Sequence, residues 1–230
     1  MSDQPTRPLA NPRNLPHRPP KPEEPNAPLF FHPFQETLEP ADKPDYPTHK
    51  PTWEEYQNIR ALHIYIQNSL TRVTQRGYPS PIGITYKAWG DFNFEALFEP
   101  HYFWHVSLTC RTPMDIHLPH MKCLLANDIP GDDQLTRGEL ICTVNLMVGR
   151  LHTRHLRPHV VAPVMLFSLL GPQHLRVLEA YYNGVNLVVQ KTRLYDMMEY
   201  DEGLMDLLMK WWVGHAVGET ELITRDILVS

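Results

Sequence analysis

The chain reads as an α+β (or α/β) protein. A mixed sheet with a central Asn-Gly hairpin is flanked by helices and preceded by a disordered proline-rich N-terminal arm. Three observations carry that expectation. Residues 163–191, PVMLFSLLGPQHLRVLEAYYNGVNLVVQK, are apolar runs broken by Gly-Pro and Asn-Gly turn signals. Two segments with helical apolar spacing precede them and a third follows. Of the 23 prolines, 14 lie between Pro5 and Pro51, which leaves about 180 residues of ordinary globular composition.

Residues 1–50 therefore read as the arm and 51–230 as a single globular domain. The arm has too little apolar surface to offset its ordering entropy. Within it, Leu29-Phe30-Phe31-His32-Pro33-Phe34 is a hydrophobic anchor, suited to docking on the domain or on a partner. Thr52-Trp-Glu-Glu55 has a capping-box pattern. Ile59, Leu62, Ile66, Leu70 and Val73 follow at helical spacing until Gly77 and Pro79, so a helix over about 53–75 is expected. Residues 80–110 are rich in aromatics and read as short strands and turns. Thr136-Arg-Gly-Glu139 is a second capping box, opening a helix over about 136–152 with Leu140, Val144, Met147 and Leu151 inward.

Val160–Leu170 is nearly all apolar, as in a strand buried on both faces. His174–Tyr182 and Val185–Leu194 flank Asn183-Gly184, and a two-residue turn there pairs Ala180 with Leu187 and Arg176 with Lys191. A helix follows over about 201–213, with Leu204, Leu207, Leu208 and Trp211 inward and Gly214 as its stop. Residues 222–229 suit a last strand.

A net charge of −5 gives no overall attraction to nucleic acid or to an anionic membrane. No apolar run reaches the roughly 18 residues that span a bilayer, and no leader-like start is present. Three irregularly spaced cysteines do not make a disulfide framework. An intracellular setting, cytoplasm or nucleus, is the simplest expectation.

Four constellations invite functional readings. Arg13, Pro16 and Pro19 have the spacing of a polyproline ligand, implying a protein partner for the arm, although any proline-rich stretch yields such spacing. Arg150, Arg154, Arg157, Arg176, Lys191 and Arg193 could gather into an anion patch, a contact for nucleic acid or an acidic partner. His117, His120 and Cys123, with His152 and His155, have zinc-like spacing, set against the arginines beside the second pair.

The order helix, three strands, helix over about 132–213 resembles the core of the restriction-endonuclease-like (PD-(D/E)XK) nucleases. That resemblance implies magnesium or manganese chemistry, with Glu139 and Glu179 as acids. Gln190 stands where the family has its second strand acid and Thr192 where it has its lysine, so the metal set is incomplete. The alternative for Glu179 is a structural hydrogen bond to Gln190 across the sheet. The stretch PVMLFSLLGPQHLRVLEAYYNG is also similar to one found in uncharacterised proteins of filamentous fungi, which implies a fold type and no activity. Neither a nucleophile elbow nor a phosphate loop is present. The leading expectation is a non-catalytic binding module, with a degenerate metal-dependent nuclease as the alternative.

Overall fold

A computed structural model of the protein describes residues 28–38, 46–75, 98–99, 104–111 and 118–221. Its centre is a seven-stranded mixed sheet. The strands β2 (Phe98–Glu99), β3 (Trp104–Arg111), β4 (Met121–Pro130), β5 (Val164–Gly171), β6 (His174–Tyr182) and β7 (Leu187–Lys191) lie in chain order across it. A short β8 (Tyr195–Asp196) also pairs with β6. Among the described strands only β4 and β5 run parallel, and a helix connects them, as a parallel pair requires. The class is α+β.

Helices cover both faces. On one lie α1 (Glu55–Gln75) and α3 (Glu202–Val213), packed on Leu108, Leu124, Phe167, Leu169, Leu175 and Val177. On the other lies α2 (Arg137–Leu151), packed on Cys123, Leu125, Val164, Leu166, Leu178 and Ala180. Alternate residues of each strand feed the two cores, which is why β5 is buried along its whole length.

The segment Leu29–Phe34 docks on the α1/α3 face. Phe30, Phe31 and Phe34 join its core, as does Leu38. Here β1 (Phe31–His32) pairs antiparallel with β9 (His215–Ala216). The folded unit thus takes in chain that precedes position 51.

Several local expectations meet corrections. The predicted capping box at Thr52 lies two residues early. The helix starts at Glu55, and the reciprocal bond runs from the Glu54 N–H to Gln57 Oε1 at 3.0 Å. In α2 the Thr136/Glu139 box is present in both directions, and of the expected inward stripe Met147 is buried and Leu151 packs against the core. Leu140 and Val144 are exposed, while Glu139, Cys142, Leu146 and Arg150 are buried. Two of those inward residues are charged, and apolar periodicity cannot place charges that burial has paired.

In α3 Leu208 is buried as expected and Leu204 and Trp211 pack partly buried on the same core, whereas Leu207 is exposed and Met205, Met209 and Trp212 complete the buried set. The hairpin register is off by two: Tyr182 pairs with Leu187, Ala180 with Val189 and Glu179 with Gln190. Asn183 Oδ1 accepts from the N–H groups of Val185 and Asn186, so a four-residue loop forms, with Gly184 at φ +95°. The shift is even, so every side chain keeps its face. The strand β4, MKCLLANDIP, has no counterpart in the expectation, which reads its first residues as part of a ligand spacing. The expected strand at 222–229 and most of 80–103 lie outside the described residues.

Candidate ligand pocket

The acids proposed for a nuclease centre stand on opposite faces of the sheet. Glu139, at the third position of α2, accepts from the Thr136 N–H at 2.7 Å and from Arg176 Nε and Nη2 at 2.8 and 2.5 Å. Arg176 also donates to the carbonyls of Asp132 and Gln134 at 2.7 and 2.6 Å. Both side chains are buried. This pair fastens the start of α2 to the middle of β6.

Glu179 projects from the α1/α3 face and accepts from the backbone N–H groups of Leu29 and Phe30 at 2.7 and 2.6 Å. Burial raises its pKa, and the backbone donors pull it back. Gln190 lies directly across from Glu179, yet the expected bond between them is absent. The arm takes the carboxylate, and Gln190 Oε1 finds no partner among the described residues. Thr192 Oγ1 is engaged locally, accepting from the Val177 N–H and donating to the Arg193 carbonyl. Glu139 and Glu179 cannot share a cation.

The expected anion patch is likewise dispersed. Arg150 is buried against the carbonyls of Leu118 and Pro119, and Arg176 is committed to Glu139. Lys191 lies 3.7 Å from Asp133, and Arg193 stacks over Tyr195. Arg154 and Arg157 are exposed ahead of β5, whereas Lys191 sits on β7 beside Leu178.

Of the zinc candidates, His117 lies outside the described residues. His120 is buried, with Nε2 2.9 Å from the Val217 carbonyl and its ring against Phe30 and Phe31. Cys123 is on the other face, with its Sγ 3.5 Å from that of Cys142. His152 and His155 are exposed around the end of α2. No group of three or more His, Cys, Asp or Glu suited to a metal occurs among the described residues. Arg13, Pro16 and Pro19 lie outside them.

A different cluster comes together between α1 and the β3–β4 pair. Tyr56, Ile59, Arg60, His63 and Ile64 line one wall of a pocket of about 410 Å3, and His105, Ala126 and Asp128 line the other. These α1 residues recur at helical spacing, with Tyr56, Arg60, His63 and Ile64 forming a mixed row beside the buried stripe to which Ile59 belongs. His105 faces Ala126 across the ladder, which puts it on the α1 side of the sheet.

Two irregularities shape the floor. The β3–β4 register shifts between Val106 and Leu108, next to His105. The β4–β5 pairing is interrupted between Ala126 and Pro130, around Asp128. Such breaks re-aim side chains and release a strand from its ladder. Behind the floor, Asn127 Nδ2 donates to Ser168 Oγ and the Leu169 carbonyl, both at 3.1 Å. That holds the end of β4 while Asp128 projects to the other face.

The His63 and His105 rings meet edge to face at 4.9 Å. Burial lowers His63 to about 4, assisted by His105 and Arg60. Burial also lowers His105, opposed by Asp128, and raises Asp128, opposed by His105. At neutral pH both rings are uncharged. His63 is only 7% exposed, and its Nε2 has no hydrogen-bond partner among the described residues. A buried ring nitrogen left unpaired costs about 1–3 kcal/mol, so a structure that retains one beside a pocket calls for a partner there. Arg60 and Asp128 form no ion pair, with each other or elsewhere, among the described residues.

The arrangement can bind a polar molecule on neutral imidazoles flanked by one cation and one anion. Sequence reasoning missed it because its wall residues lie far apart in the chain. The available signal was Tyr56, Arg60, His63 and Ile64, a mixed aromatic, basic and apolar row on a helix face that the buried stripe does not use. No protein-family model matches the chain, and no curated protein or solved structure matches it either.

Proposed function

We propose that this protein is a non-catalytic binding module whose ligand site is the α1/β3–β4 pocket. The observation that carries the reading is His63 Nε2, buried and without a partner among the described residues, in a pocket that the exposed Arg60 and the half-buried Asp128 also line. Pockets of a few hundred Å3 with a few convergent polar groups in apolar walls are the usual form of a small-ligand site. Binding is favoured over catalysis on two grounds. A histidine at about 4 is a weak base at neutral pH. Among the described residues, no serine, threonine or cysteine lines the pocket.

Nucleic acid is not part of this reading, since the basic residues that would contact phosphates are divided or already engaged. The setting we propose is intracellular, in cytoplasm or nucleus, in keeping with three free, buried thiols. No described helix is long and apolar enough to cross a membrane. The anchor at Phe30, Phe31 and Phe34 tethers the preceding proline-rich sequence to the domain, which supports a protein partner for Arg13, Pro16 and Pro19 as a second element of the proposal.

The test is a ligand screen read by NMR. The full chain, with its histidines isotope-labelled, is titrated with a set of small anions, cations and neutral aromatics. Binding in the pocket moves the His63 and His105 ring signals together, and His63→Phe abolishes the response without unfolding the chain. If every molecule that binds leaves both rings unmoved, the reading is wrong.

A further inference from the structure

Resting on that reading, we infer that the ligand is double-ended. It carries an oxyanion for Arg60, a protonated amine or similar donor for Asp128, and an apolar body between, the chemistry of an α-amino acid with an apolar or aromatic side chain. The argument starts from the two charges. Arg60, exposed, and Asp128, half-buried, line one pocket and do not pair with each other, so the site presents one charge of each sign to whatever enters it.

A simple anion drawn to Arg60 meets the carboxylate of Asp128, and a simple cation drawn to Asp128 meets the guanidinium. A like-charge contact of this kind discriminates against single-ended molecules. A zwitterion satisfies both groups and loses neither.

The groups around His63 agree. From its own helix it faces Arg60 and Tyr56, from β3 His105, and from β4 Asp128. Burial keeps both rings neutral at physiological pH, so they supply hydrogen-bonding edges rather than a net charge. They do not tip the site toward an anion. The remaining wall is apolar: Ile59, Ile64, Ala126 and the Tyr56 ring. The pocket volume of about 410 Å3 leaves room for a sizeable side chain beside the two charged ends.

Three probes separate the ends. Phenylalanine carries both, 3-phenylpropionate lacks the amine, and 2-phenylethylamine lacks the carboxylate. Each is titrated into the full chain while the His63 and His105 ring signals are followed. Phenylalanine is expected to bind about tenfold or more tightly than either analogue. Arg60→Gln is expected to weaken phenylalanine about tenfold and to strengthen phenylethylamine by removing the like charge it meets, and Asp128→Asn to weaken phenylalanine and strengthen phenylpropionate in the same way.

Equal affinity for phenylalanine and either analogue overturns the inference. So does an absence of ring shifts with phenylalanine in the millimolar range. Should another molecule move both rings while phenylalanine does not, the pocket remains a ligand site and the double-ended ligand is excluded. Failure of all molecules to move the rings removes both.

Discussion

Replacing Glu139 with alanine leaves the Arg176 guanidinium buried beneath α2 without its carboxylate. Arg176 cannot shed its charge, and its side chain has 0% relative exposure. It keeps the Asp132 and Gln134 carbonyls, which soften the loss. Removing one partner of a buried pair costs about 3–5 kcal/mol, and losing the reciprocal bond to the Thr136 N–H adds about 0.5–1 kcal/mol. A total near 4 kcal/mol is a large part of the ~5–15 kcal/mol that holds a domain together.

Arg176→Met leaves Glu139 at the start of α2, where the helix dipole favours an anion, so a loss of about 3 kcal/mol is expected. The double variant removes both charges at once and should lose only about 1–2 kcal/mol. The coupling is then about 5 kcal/mol. Urea unfolding followed by circular dichroism at neutral pH completes the cycle. Additive effects, or single losses below about 1 kcal/mol as for exposed pairs, would refute the assignment of Glu139 and Arg176 to an internal clamp.

Three further outcomes are expected. Glu179→Ala should free the anchor: amide exchange at residues 29–34 rises, and stability falls by about 1–3 kcal/mol, whereas unchanged exchange would mean that the carboxylate does not hold the arm. Lys122 is buried and caps the end of α3, with Nζ donating to the carbonyls of Trp211, Trp212 and Gly214 at 2.7, 2.8 and 2.8 Å.

Burial lowers Lys122 to about 8. Its folded state therefore releases the proton before its unfolded state does, and stability rises with pH above about 8, by about 1–2 kcal/mol by pH ~9.5; a Lys122→Met variant with the same slope over that window contradicts this.

His63 and His120 are both held at about 4. Each therefore favours the fold above the unfolded value near 6.5 and loses that contribution as pH falls toward 4, about 3 kcal/mol apiece. Acid titrations followed by histidine NMR test this, and a midpoint near 6.5 for either ring argues against it.

What the sequence by itself determined is local. The Thr136/Glu139 box and the turn at Asn183-Gly184 are decided by backbone groups within a few residues, so spacing and residue type suffice to find them. The mixed sheet was legible for the same reason, from long apolar runs such as β5. Even the hairpin misjudged by two residues kept its faces, because strand periodicity is two.

What only the tertiary structure decided is which charges go inside and what they meet there. Glu139 finds Arg176 across 37 positions, and Glu179 finds Phe30 across 149. Periodicity treats such residues as outward-facing, and this misplaced part of the inward stripe of α2 and counted the buried Arg150 and Arg176 into an anion patch. The pocket follows the same rule. His63 meets His105, with Asp128 lining the same pocket, only once α1 lies across β3 and β4. Burial, charge partnership and the pKa values that follow from them are properties of the packed environment, which side chains distant in sequence create together.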